Sequence, residues 1–487
     1  MAMPFGNARF ASAEEVRAHG LLTADSGAMP LGFLIENGEL TGQPVGNPLR
    51  QNAVLIGPSG SGKTTRVFIP FALHGRGERS VIWVDPKGDI GAVAGRLRAK
   101  VGSFYSINPR GVLADRPGYE DLKSCGFNVL KSLRSASPSF DADVGGLAEA
   151  LIPMAGEQPF WPLMARALVS GLIMGEVIDA EAHACRPSLS RVRDELADVE
   201  RLPQRLAELA HYRHRGLRNK VRPLLQKARS VMDVISTAAS ETEFLDDPEI
   251  AADLATDGGL DFASLRERPT TVCITVPAGT MERDSKWLRL TLSAALRDLM
   301  QAPEAGQLPV TIILDEYFLI ANGGLKIIEQ AWAFVRGFGI QLLVALQDLP
   351  QLQDLYPRRW STFLGNADVI MALGPNELTT AEWMSKRAGD TTDIVQSASA
   401  GDTQGLGWDD KNMARGNTGR SGGVSYSQTR VPFLSVADLF DTPEGQLYVW
   451  KKGLANTIAT YAPIYADRSH ALGLHKAARP SPYFTNR

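Results

Sequence analysis

The chain has 487 residues, of which 44% are hydrophobic and 22% charged, a composition typical of a soluble globular protein with two or three domains. The formal net charge of −3 excludes a global positive field for nucleic acid, so any such binding requires a local basic patch. The three cysteines are far apart, which excludes a disulfide or zinc framework and favours a reducing compartment.

The first fifty residues predict two small elements ahead of the main sheet. A short helix is expected from Ser12 to His19, with Glu15 placed to complete a capping box at its start. Residues 31–40 predict a hairpin, because two apolar runs flank an Asn-Gly pair that favours a tight two-residue turn.

A glycine-rich segment lies between two apolar runs at residues 53–56 and 67–70. Its members are Gly57, Pro58, Ser59, Gly60, Ser61, Gly62, Lys63, Thr64 and Thr65. The pattern is the G-x-x-x-x-G-K-[ST] phosphate-binding loop, whose backbone N–H groups surround an anion at the positive end of a helix. Lys63 can reach the β- and γ-phosphates of a nucleotide, and the Thr64 hydroxyl can ligate Mg²⁺. The alternative is a glycine-serine surface loop, but the flanking strand and helix patterns argue against it.

The next segments alternate between strand and helix, which predicts a parallel α/β sheet. Strands are expected at residues 80–84 and 103–107, with a helix at residues 90–101 between them. Asp85 and Lys87 follow the first of these strands, at the edge where ligands bind in such sheets. A polar turn that binds nothing is the alternative for both residues.

Strand patterns disappear from about residue 130 to residue 255, where helical periodicity predicts an all-α insertion. We therefore divide the chain into a nucleotide-binding part at 1–130, the insertion at 131–255 and a second nucleotide-binding part at 256–487. Within the insertion, residues 211–229 carry seven arginines and lysines and no acid. This basic stretch is either a solvated helix face or a contact for DNA or an acidic partner.

Strands return at residues 271–277 and 310–314, and the second of them ends in Asp315 and Glu316. An apolar strand followed by two acids is the second element of P-loop NTPases. Asp315 is expected to hold Mg²⁺ through water, and Glu316 is the candidate base that orients the attacking water. The pattern is common when it stands alone, but the phosphate loop in the same chain makes it specific.

Two further polar residues border the predicted strand at residues 340–346. Gln347 closes this strand, where an amide beside the γ-phosphate can report the nucleotide state. Arg336 precedes the strand, and an arginine at a subunit edge can reach a neighbouring site. An ordinary strand end and an ordinary surface arginine stay open as the alternatives.

The remainder of the chain predicts a strand at residues 369–373 and a mobile loop at about 396–428, rich in Gly, Ser, Asp and Asn. Its arginines either contact a substrate or are solvated; they are Arg415, Arg420 and, just after the loop, Arg430. A helix at residues 435–440, strands at 446–450 and 457–461 and a polar tail from Asp467 complete the chain.

Together these elements resemble the coupling proteins of type IV secretion and conjugation, the TraG/TraD family. The resemblance extends over nearly the whole chain. It rests on the segments Gly6–Ala11, Gly57–Pro70, Asp85–Asp89, Phe160-Trp161 with Ala165-Arg166, Leu314–Glu316, Arg336–Gly339, Gln347–Leu352 and Val431–Leu434.

This resemblance implies an α/β fold, namely a RecA-like P-loop NTPase domain with a parallel-rich central sheet and an inserted all-α domain. It implies a hexameric ring that hydrolyses ATP with Mg²⁺ at its subunit interfaces. Lys63 and Thr64 then bind nucleotide and Mg²⁺, Asp315 and Glu316 form the second acidic motif, and Gln347 is the family's strand-tip glutamine. Arg336 is similar to the arginine that acts across the interface.

The implied partners are secretion-channel components and either relaxosome-bound single-stranded DNA or effector proteins, at the cytoplasmic face of the bacterial inner membrane. Family members usually begin with membrane-spanning helices, whereas this sequence lacks the about 18 consecutive apolar residues of such a helix. A secretory signal is also not visible at the first residues. A truncated protein is therefore expected, with a naturally soluble family member as the alternative.

Three functions fit these patterns. The sequence predicts an ATP-hydrolysing coupling protein that drives substrate into a type IV secretion channel, with DNA and protein cargo both open. An FtsK/HerA-like DNA translocase inside the cell uses the same chemistry, but the helical insertion with Phe160-Trp161 favours the coupling protein. A nucleotide-gated docking platform is the non-enzymatic alternative, and the intact Lys63, Asp315 and Glu316 argue against it.

Overall fold

The computed structural model describes residues 6–153, 160–225, 228–300, 306–321, 326–408, 414–468 and 472–483. Its strands are β1 (Met29–Glu36), β2 (Glu39–Asn47), β3 (Ala53–Ile56), β4 (Ser80–Val84), β5 (Ser103–Ile107), β6 (Thr270–Ile274), β7 (Val310–Leu314), β8 (Ile340–Leu346), β9 (Val369–Leu373), β10 (Asp390–Trp408), β11 (Ala414–Pro432), β12 (Gln446–Lys451) and β13 (Ile458–Tyr461).

Within the described ranges, one sheet of eleven strands has the order β2-β1-β13-β12-β9-β3-β8-β7-β4-β6-β5. All neighbours from β9 to β5 are parallel. The strands from β9 to β2 pair antiparallel. Because parallel strands are buried on both faces, β3, β4, β7, β8 and β9 consist of buried residues throughout. The predicted parallel α/β sheet is confirmed.

The predicted hairpin at residues 31–40 is confirmed as β1 and β2, and it extends the antiparallel edge of the same sheet. Its turn residues Asn37 and Gly38 have φ angles of 52° and 82°, as a tight hairpin turn with two left-handed residues requires. Ser12 and Glu15 form the predicted capping box at the start of the first helix.

Helices cover both faces of the sheet. They are α1 (Ala13–Ala18), α2 (Ile69–His74), α3 (Asp89–Val101), α4 (Phe140–Leu151), α5 (Phe160–Ala182), α6 (Leu189–Ala197), α7 (Leu202–Leu209), α8 (Arg215–Leu225), α9 (Ala228–Thr242), α10 (Pro248–Ala255), α11 (Met281–Leu299), α12 (Tyr317–Ala321), α13 (Lys326–Phe334), α14 (Leu349–Leu355), α15 (Trp360–Gly365), α16 (Leu378–Ala388) and α17 (Val436–Phe440). Of the helices described here, none combines the length and the apolar character needed to cross a bilayer.

Successive side chains of the central strands belong to two different cores, because they point to opposite faces of the sheet. Val54 and Ile56 of β3 pack in one core with residues of α4 to α11. Leu55 of β3 and Trp83 of β4 pack in the other core with residues of α1, α2 and α3. The strand that leads into the glycine-rich loop is therefore held rigidly between two layers.

Helices α4 to α10 lie between β5 and β6, and no strand occurs among the described residues of this stretch. Helix α5 is the longest, and it packs against α4, α6, α8 and α9. Apolar residues of these helices continue into the core beneath the sheet. The predicted insertion is therefore all-helical where it is described, while its boundaries at residues 131 and 255 stay a prediction.

The prediction of a loop at residues 396–428 is wrong. Strands β10 and β11 form an antiparallel ribbon that pairs continuously from Asp390 opposite Pro432 to Trp408 opposite Ala414. Apart from a bridge between Asn7 and Thr391 at its base, the described strands of the ribbon pair with each other. Such a ribbon needs no apolar face, so its small and polar residues do not show the alternation of a core-facing strand. Residues 409–413 and the side chains of Arg415 and Arg420 lie outside the described part of the chain.

Candidate functional site

The glycine-rich loop begins where β3 ends, in the middle of the sheet. Its first residue, Gly57, donates its N–H to the carbonyl oxygen of Leu346 at the end of β8, 3.0 Å away. Gly60 and Gly62 have φ angles of 80° and 94°, a region that residues with a side chain rarely adopt. The following residues, Lys63–Phe68, form a wide helical turn of π type that continues into α2. The sequence pattern thus produces the predicted strand, loop and helix.

Lys63 is buried and folds back over the loop. Its Nζ donates to the carbonyl oxygen of Gly57 at 2.6 Å and lies 3.4 Å from that of Pro58. Burial lowers the pKa of Lys63, although the nearby charges of Glu316 and Asp315 act in the opposite direction. In the described part of the chain, the ammonium group bonds to these neutral carbonyl oxygens, and an anion in the loop would be a better partner. The Ser61 hydroxyl is also buried and has no hydrogen-bond partner among the described residues.

Asp315 lies at the tip of β7, 3.4 Å from the Thr64 hydroxyl through its Oδ2 atom. Burial raises the pKa of Asp315 to about 7, and the charge of Glu316 adds to this shift. A divalent cation between Asp315 and Thr64 would stabilise the charged carboxylate. Mg²⁺ commonly takes one or two protein ligands and completes its shell with phosphate oxygens and water, so these two side chains fit it.

A hydrogen bond joins Glu316 to Gln347 across the ends of β7 and β8. The Gln347 amide donates from Nε2 to Oε2 of Glu316 at 2.9 Å. The backbone N–H of Gln347 donates in turn to Oε1 of Gln351 in α14. Glu316 has a φ angle of 54°, an uncommon left-handed conformation for a residue with a side chain. Both the backbone conformation and the amide partner thus restrict the position of this carboxylate.

Asp85 and Lys87, both in the turn after β4, have different surroundings. Asp85 is fully buried and accepts backbone N–H groups from Lys87, Gly88 and Ile90, so it stabilises its own turn. Lys87 is exposed and faces the pocket above the glycine-rich loop. The polar-turn alternative therefore describes Asp85, and the ligand-binding interpretation is retained for Lys87.

Arg336 is exposed, and strand β8 separates it from Gln347. It lies in a short helical turn, Val335–Phe338, just before β8 begins. Strand β8 spans seven residues, or about 20 Å, and its other end carries Gln347. Arg336 therefore lies at the N-terminal ends of the parallel strands, whereas the glycine-rich loop lies at their C-terminal ends.

A pocket of about 690 Å³ lies above the loop. Its inner wall consists of loop residues with Lys87, Asp89 and Glu316, and its outer wall is the segment from Ile464 to Arg468. Only Asp467 and Arg468 of this segment belong to the predicted polar tail, and the sequence did not predict that any of its residues lies at the site. No local pattern distinguishes it, because its place in the wall results from contacts with residues about 400 positions earlier in the chain.

The described residues contain no group of three or more His, Cys, Asp or Glu side chains arranged to hold a metal ion. A cation at Asp315 and Thr64 would therefore need further oxygen ligands, and phosphate groups bound in the loop would supply them. The pocket as a whole is lined by the glycine-rich loop with Lys63 and Thr64 and by Glu316, and Asp315 lies 3.4 Å from the Thr64 hydroxyl. This is the set of groups that phosphoryl transfer to water requires.

Comparison with characterised proteins identifies relatives involved in conjugation. The chain is 26% identical over 426 residues to the conjugal transfer protein TraG of Escherichia coli, covering 80% of this chain and 65% of that protein. It is 23% identical over 412 residues to the conjugal transfer protein TraG of Agrobacterium fabrum, covering 82% of this chain and 58% of that protein. The matched region thus spans less than two thirds of these relatives' length.

Among solved structures, the unbound conjugative coupling protein TrwBdeltaN70 superposes with a TM-score of 0.64 at 16% identity, covering 95% of both chains. The plasmid coupling protein TrwB in complex with ADP and Mg²⁺ superposes with a TM-score of 0.63 at 16% identity, covering 95% of this chain and 96% of that one. This similarity shows a shared fold, the RecA-like NTPase fold.

The sequence model of one protein family matches residues 6–423, which include the glycine-rich loop, Asp315, Glu316, Arg336 and Gln347. That model is described as type IV secretory system conjugative DNA transfer. The glycine-rich loop, the acidic strand tip and the helices between β5 and β6 all lie within the match. The chain therefore belongs to the type IV secretory system conjugative DNA transfer family.

Proposed function

We propose that this chain is an ATP-hydrolysing coupling protein that drives a conjugative substrate into a type IV secretion channel. The observation that carries the proposal is the convergence of Lys63, Thr64, Asp315, Glu316 and Gln347 at one edge of the sheet. Support for the nucleotide comes from TrwB, a protein of the same fold that has been solved with ADP and Mg²⁺ and with a non-hydrolysable ATP analogue.

Each residue has a distinct role in this proposal. Lys63 and the loop N–H groups bind the phosphates, and Thr64 and Asp315 hold Mg²⁺, which neutralises phosphate charge when bound. Glu316 orients the attacking water and accepts its proton, while Gln347 holds the Glu316 carboxylate in place. Arg336 lies too far away to act within its own chain, so we assign it to the site of a neighbouring subunit in a homo-oligomeric ring, expected to be a hexamer.

The transported substrate is a single-stranded DNA–protein complex, an effector protein or both. We propose that the helices at residues 131–255 select it, since their basic stretch at 211–229 exposes Arg213, Arg215 and Arg222. Lys227 and the side chain of Arg229 in the same stretch lie outside the described residues. The chain would act at the cytoplasmic face of the inner membrane, in contact with channel components. Family membership favours this role over that of an FtsK/HerA-like intracellular translocase.

The test is steady-state ATP hydrolysis at increasing protein concentration, with and without single-stranded DNA, at a stated salt concentration. A rate per subunit that rises with concentration and with DNA supports a ring motor that acts on DNA. Lys63→Ala should abolish hydrolysis, and Glu316→Gln should retain nucleotide binding but lose hydrolysis. The matched control is Lys452→Ala, because Lys452 is exposed and outside the pocket. Hydrolysis that persists in Lys63→Ala would refute the site assignment, and a rate insensitive to DNA would point to protein cargo.

A further inference from the structure

The segment at residues 472–483, within the predicted polar tail, runs back along helix α3 toward the nucleotide pocket. We call it the tail segment. Arg479 donates its backbone N–H to the carbonyl oxygen of Val93 in α3, 3.0 Å away. Further along, the Tyr483 hydroxyl donates to the carbonyl oxygen of Lys87 at 2.8 Å. The tail segment therefore reaches from α3 to the turn after β4, which forms part of the pocket wall.

A buried arginine anchors the middle of the tail segment on α3. Arg479 is 8% exposed, and its guanidinium group binds both carboxylate oxygens of Asp121, at 2.7 and 2.9 Å. Its Nη2 atom also donates to the carbonyl oxygen of Gly91 in the first turn of α3 at 2.9 Å. The guanidinium carbon lies 5.2 Å from the centre of the Tyr119 ring. A bidentate charged pair with an aromatic contact fixes both the position and the orientation of the arginine.

The tail segment and Asp85 together hold the backbone of Lys87. Asp85 is fully buried and accepts the N–H of Lys87 through Oδ1 at 3.2 Å. Tyr483, which is 47% exposed, binds the carbonyl oxygen of Lys87 from the solvent side. Both polar backbone groups of Lys87 are thus bonded. The point from which the Lys87 side chain extends into the pocket is therefore fixed, and one of its two supports is the tail segment.

The ammonium group of Lys87 lies near that of Lys63. Burial and, to a smaller extent, the charge of Lys87 lower the pKa of Lys63, so the two charges are close enough to interact. Within the described ranges, the Lys87 ammonium group forms neither a hydrogen bond nor an ion pair. Two like charges in one pocket repel each other, and an anion that contacts both relieves the repulsion. Lys87 is therefore suited to contact the same phosphates that Lys63 reaches.

We propose that the tail segment positions Lys87 to bind the outer phosphates of the nucleotide, with Tyr483 holding the Lys87 backbone and Arg479 anchoring the segment. This inference rests on the proposed function, because it takes a triphosphate to lie in the glycine-rich loop. Tyr483 and Arg479 are positioning residues, since they contact Lys87 and α3 and act on the phosphates through Lys87. A shift of the turn would move the ammonium group away from the charge that develops during phosphoryl transfer.

The test is a double-mutant cycle on kcat/KM for ATP hydrolysis by the full chain with Mg²⁺. Lys87→Ala should lower kcat/KM at least about tenfold, because a cation at the transferred phosphate is lost. Tyr483→Phe should lower it about threefold, the effect of one lost hydrogen bond. The double variant should be no slower than Lys87→Ala alone, since Tyr483 acts only through Lys87. Arg479→Lys, which keeps the charge but loses the bidentate pair, should resemble Tyr483→Phe.

A matched control and a stability measurement accompany the cycle. Tyr426→Phe removes the hydroxyl of a tyrosine that is 70% exposed on β11 and outside the pocket, so its kcat/KM should equal that of the wild type. The melting temperature of Tyr483→Phe should also stay at the wild-type value, because the ring is half exposed and retains its packing. A kinetic loss without a stability loss then belongs to the position of Lys87.

The outcomes separate this inference from the proposed function. Unchanged kcat/KM in Tyr483→Phe would overturn the positioning role, and so would an equal loss from Tyr483→Phe in the presence and in the absence of Lys87. Unchanged kcat/KM in Lys87→Ala would overturn it as well. In each of these cases hydrolysis that depends on Lys63 leaves the proposed function standing. Wild-type protein that does not hydrolyse ATP would refute the proposed function itself, and the inference with it.

Discussion

Two adjacent carboxyl groups at the tip of β7 have different surroundings, and this difference determines what each can do. Asp315 is buried, and the protein provides it with few polar contacts, so burial raises its pKa to about 7. Glu316 is partly exposed and bonded to the Gln347 amide. The first carboxyl is suited to hold a cation that supplies the missing charge, and the second is suited to contact water in the pocket.

Asp315→Asn should stabilise the protein without nucleotide while abolishing hydrolysis. In the folded chain the pKa of Asp315 lies near 7, above the value of about 3.9 for an unfolded aspartate. Stability from this carboxyl is therefore full below about pH 4 and is lost as the pH rises towards 7. At pH 8 the melting temperature of Asp315→Asn should exceed that of the wild type by a few degrees, and below pH 4 the two should agree.

Differential scanning fluorimetry at both pH values, without Mg²⁺ or nucleotide, measures this difference. The control is Asp393→Asn, which changes an exposed aspartate on the ribbon. A variant that melts at or below the wild-type temperature at pH 8 would contradict the burial of an unneutralised carboxyl at this position.

A single arginine connects three elements on the helical side of the sheet. Arg110, in the loop after β5, forms two hydrogen bonds with Asp284 in α11, at 2.8 and 2.6 Å. It also contacts Asp247, which caps the N-terminus of α10, at 2.9 Å. Hydrogen bonds with Asp284 are the largest cause that raises the pKa of Arg110. The arginine thus connects the nucleotide-binding sheet to the last helix of the insertion.

Arg110→Ala should destabilise the chain by about 3–5 kcal/mol, because it leaves the carboxylate of Asp284, which is 1% exposed, buried without its main partner. Arg283→Ala is the matched control. Arg283 contacts the same Asp247 and Asp284 carboxylates but is 59% exposed, so its loss should cost less than about 1 kcal/mol. Urea unfolding of the two variants measures the difference, and equal shifts would contradict this role of Arg110.

The β10–β11 ribbon is an element whose folding depends mainly on its own pairing. It begins beside the body, where Arg430 forms an ion pair with Asp390 and the N-terminal segment bridges to Thr391. Beyond these residues its backbone pairs only strand to strand. Glycine, serine and asparagine are poor strand formers in a core, but a free ribbon requires only that both backbones be extended.

Shortening the ribbon should leave the rest of the fold intact. Ile394 pairs with Gln428, so residues 395–427 can be replaced by an Asn-Gly turn that closes a short hairpin at that pair. The melting temperature should then stay within about 2 °C of the wild type, since little stability of the body derives from the removed strands. Circular dichroism melts check this, and a large fall in melting temperature would show that the ribbon packs on the body.

On the scale of the whole molecule, Arg336 and the phosphate loop lie at opposite ends of the parallel strands. At the N-terminal ends of the strands, Val310 donates its N–H to the carbonyl oxygen of Gly339. At the C-terminal ends, Gly57 donates its N–H to the carbonyl oxygen of Leu346. Arg336 lies beside the first contact and the phosphate loop beside the second. In the proposed ring of identical subunits, the end of the sheet that carries Arg336 can face the nucleotide pocket of the next subunit.

Mixing two inactive variants should restore activity if Arg336 acts in the neighbouring site. Lys63→Ala destroys its own pocket and keeps the arginine, whereas Arg336→Ala keeps the pocket and loses the arginine. Each alone should fall at least about 100-fold in kcat, because a trans-acting arginine contributes a factor of about 10³ or more. A one-to-one mixture should exceed the sum of both, since some interfaces then combine an intact pocket with an intact arginine.

ATP hydrolysis by the mixture, measured above the concentration at which the wild-type rate rises, decides the question. Arg359→Ala is the control, because Arg359 is 75% exposed and pairs only with Glu329 in the described part of the chain. A mixture that never exceeds its components would contradict action between subunits.

Local sequence patterns predicted most of the fold and the inner half of the site. The glycine-rich loop, the apolar strand ending in Asp315 and Glu316, and the capped helix at Ser12 each depend on residues within a few positions of one another. Such short-range patterns reflect backbone conformation and strand burial, which a sequence carries directly. The ribbon was missed because its residues lack an apolar face, the signal on which strand prediction depends.

By itself, the amino-acid sequence of this protein determined the phosphate loop, the parallel sheet, the helical insertion and the resemblance to conjugative coupling proteins. Tertiary structure alone decided that Gln347 donates a hydrogen bond to Glu316 and that residues 464–468 line the pocket above the loop. It also decided that Arg336 lies at the other end of β8 from Gln347. The physical reason is distance along the chain. Arg66 meets Ala462 across 396 positions, and such contacts arise only when separate strands of one sheet bring remote segments together.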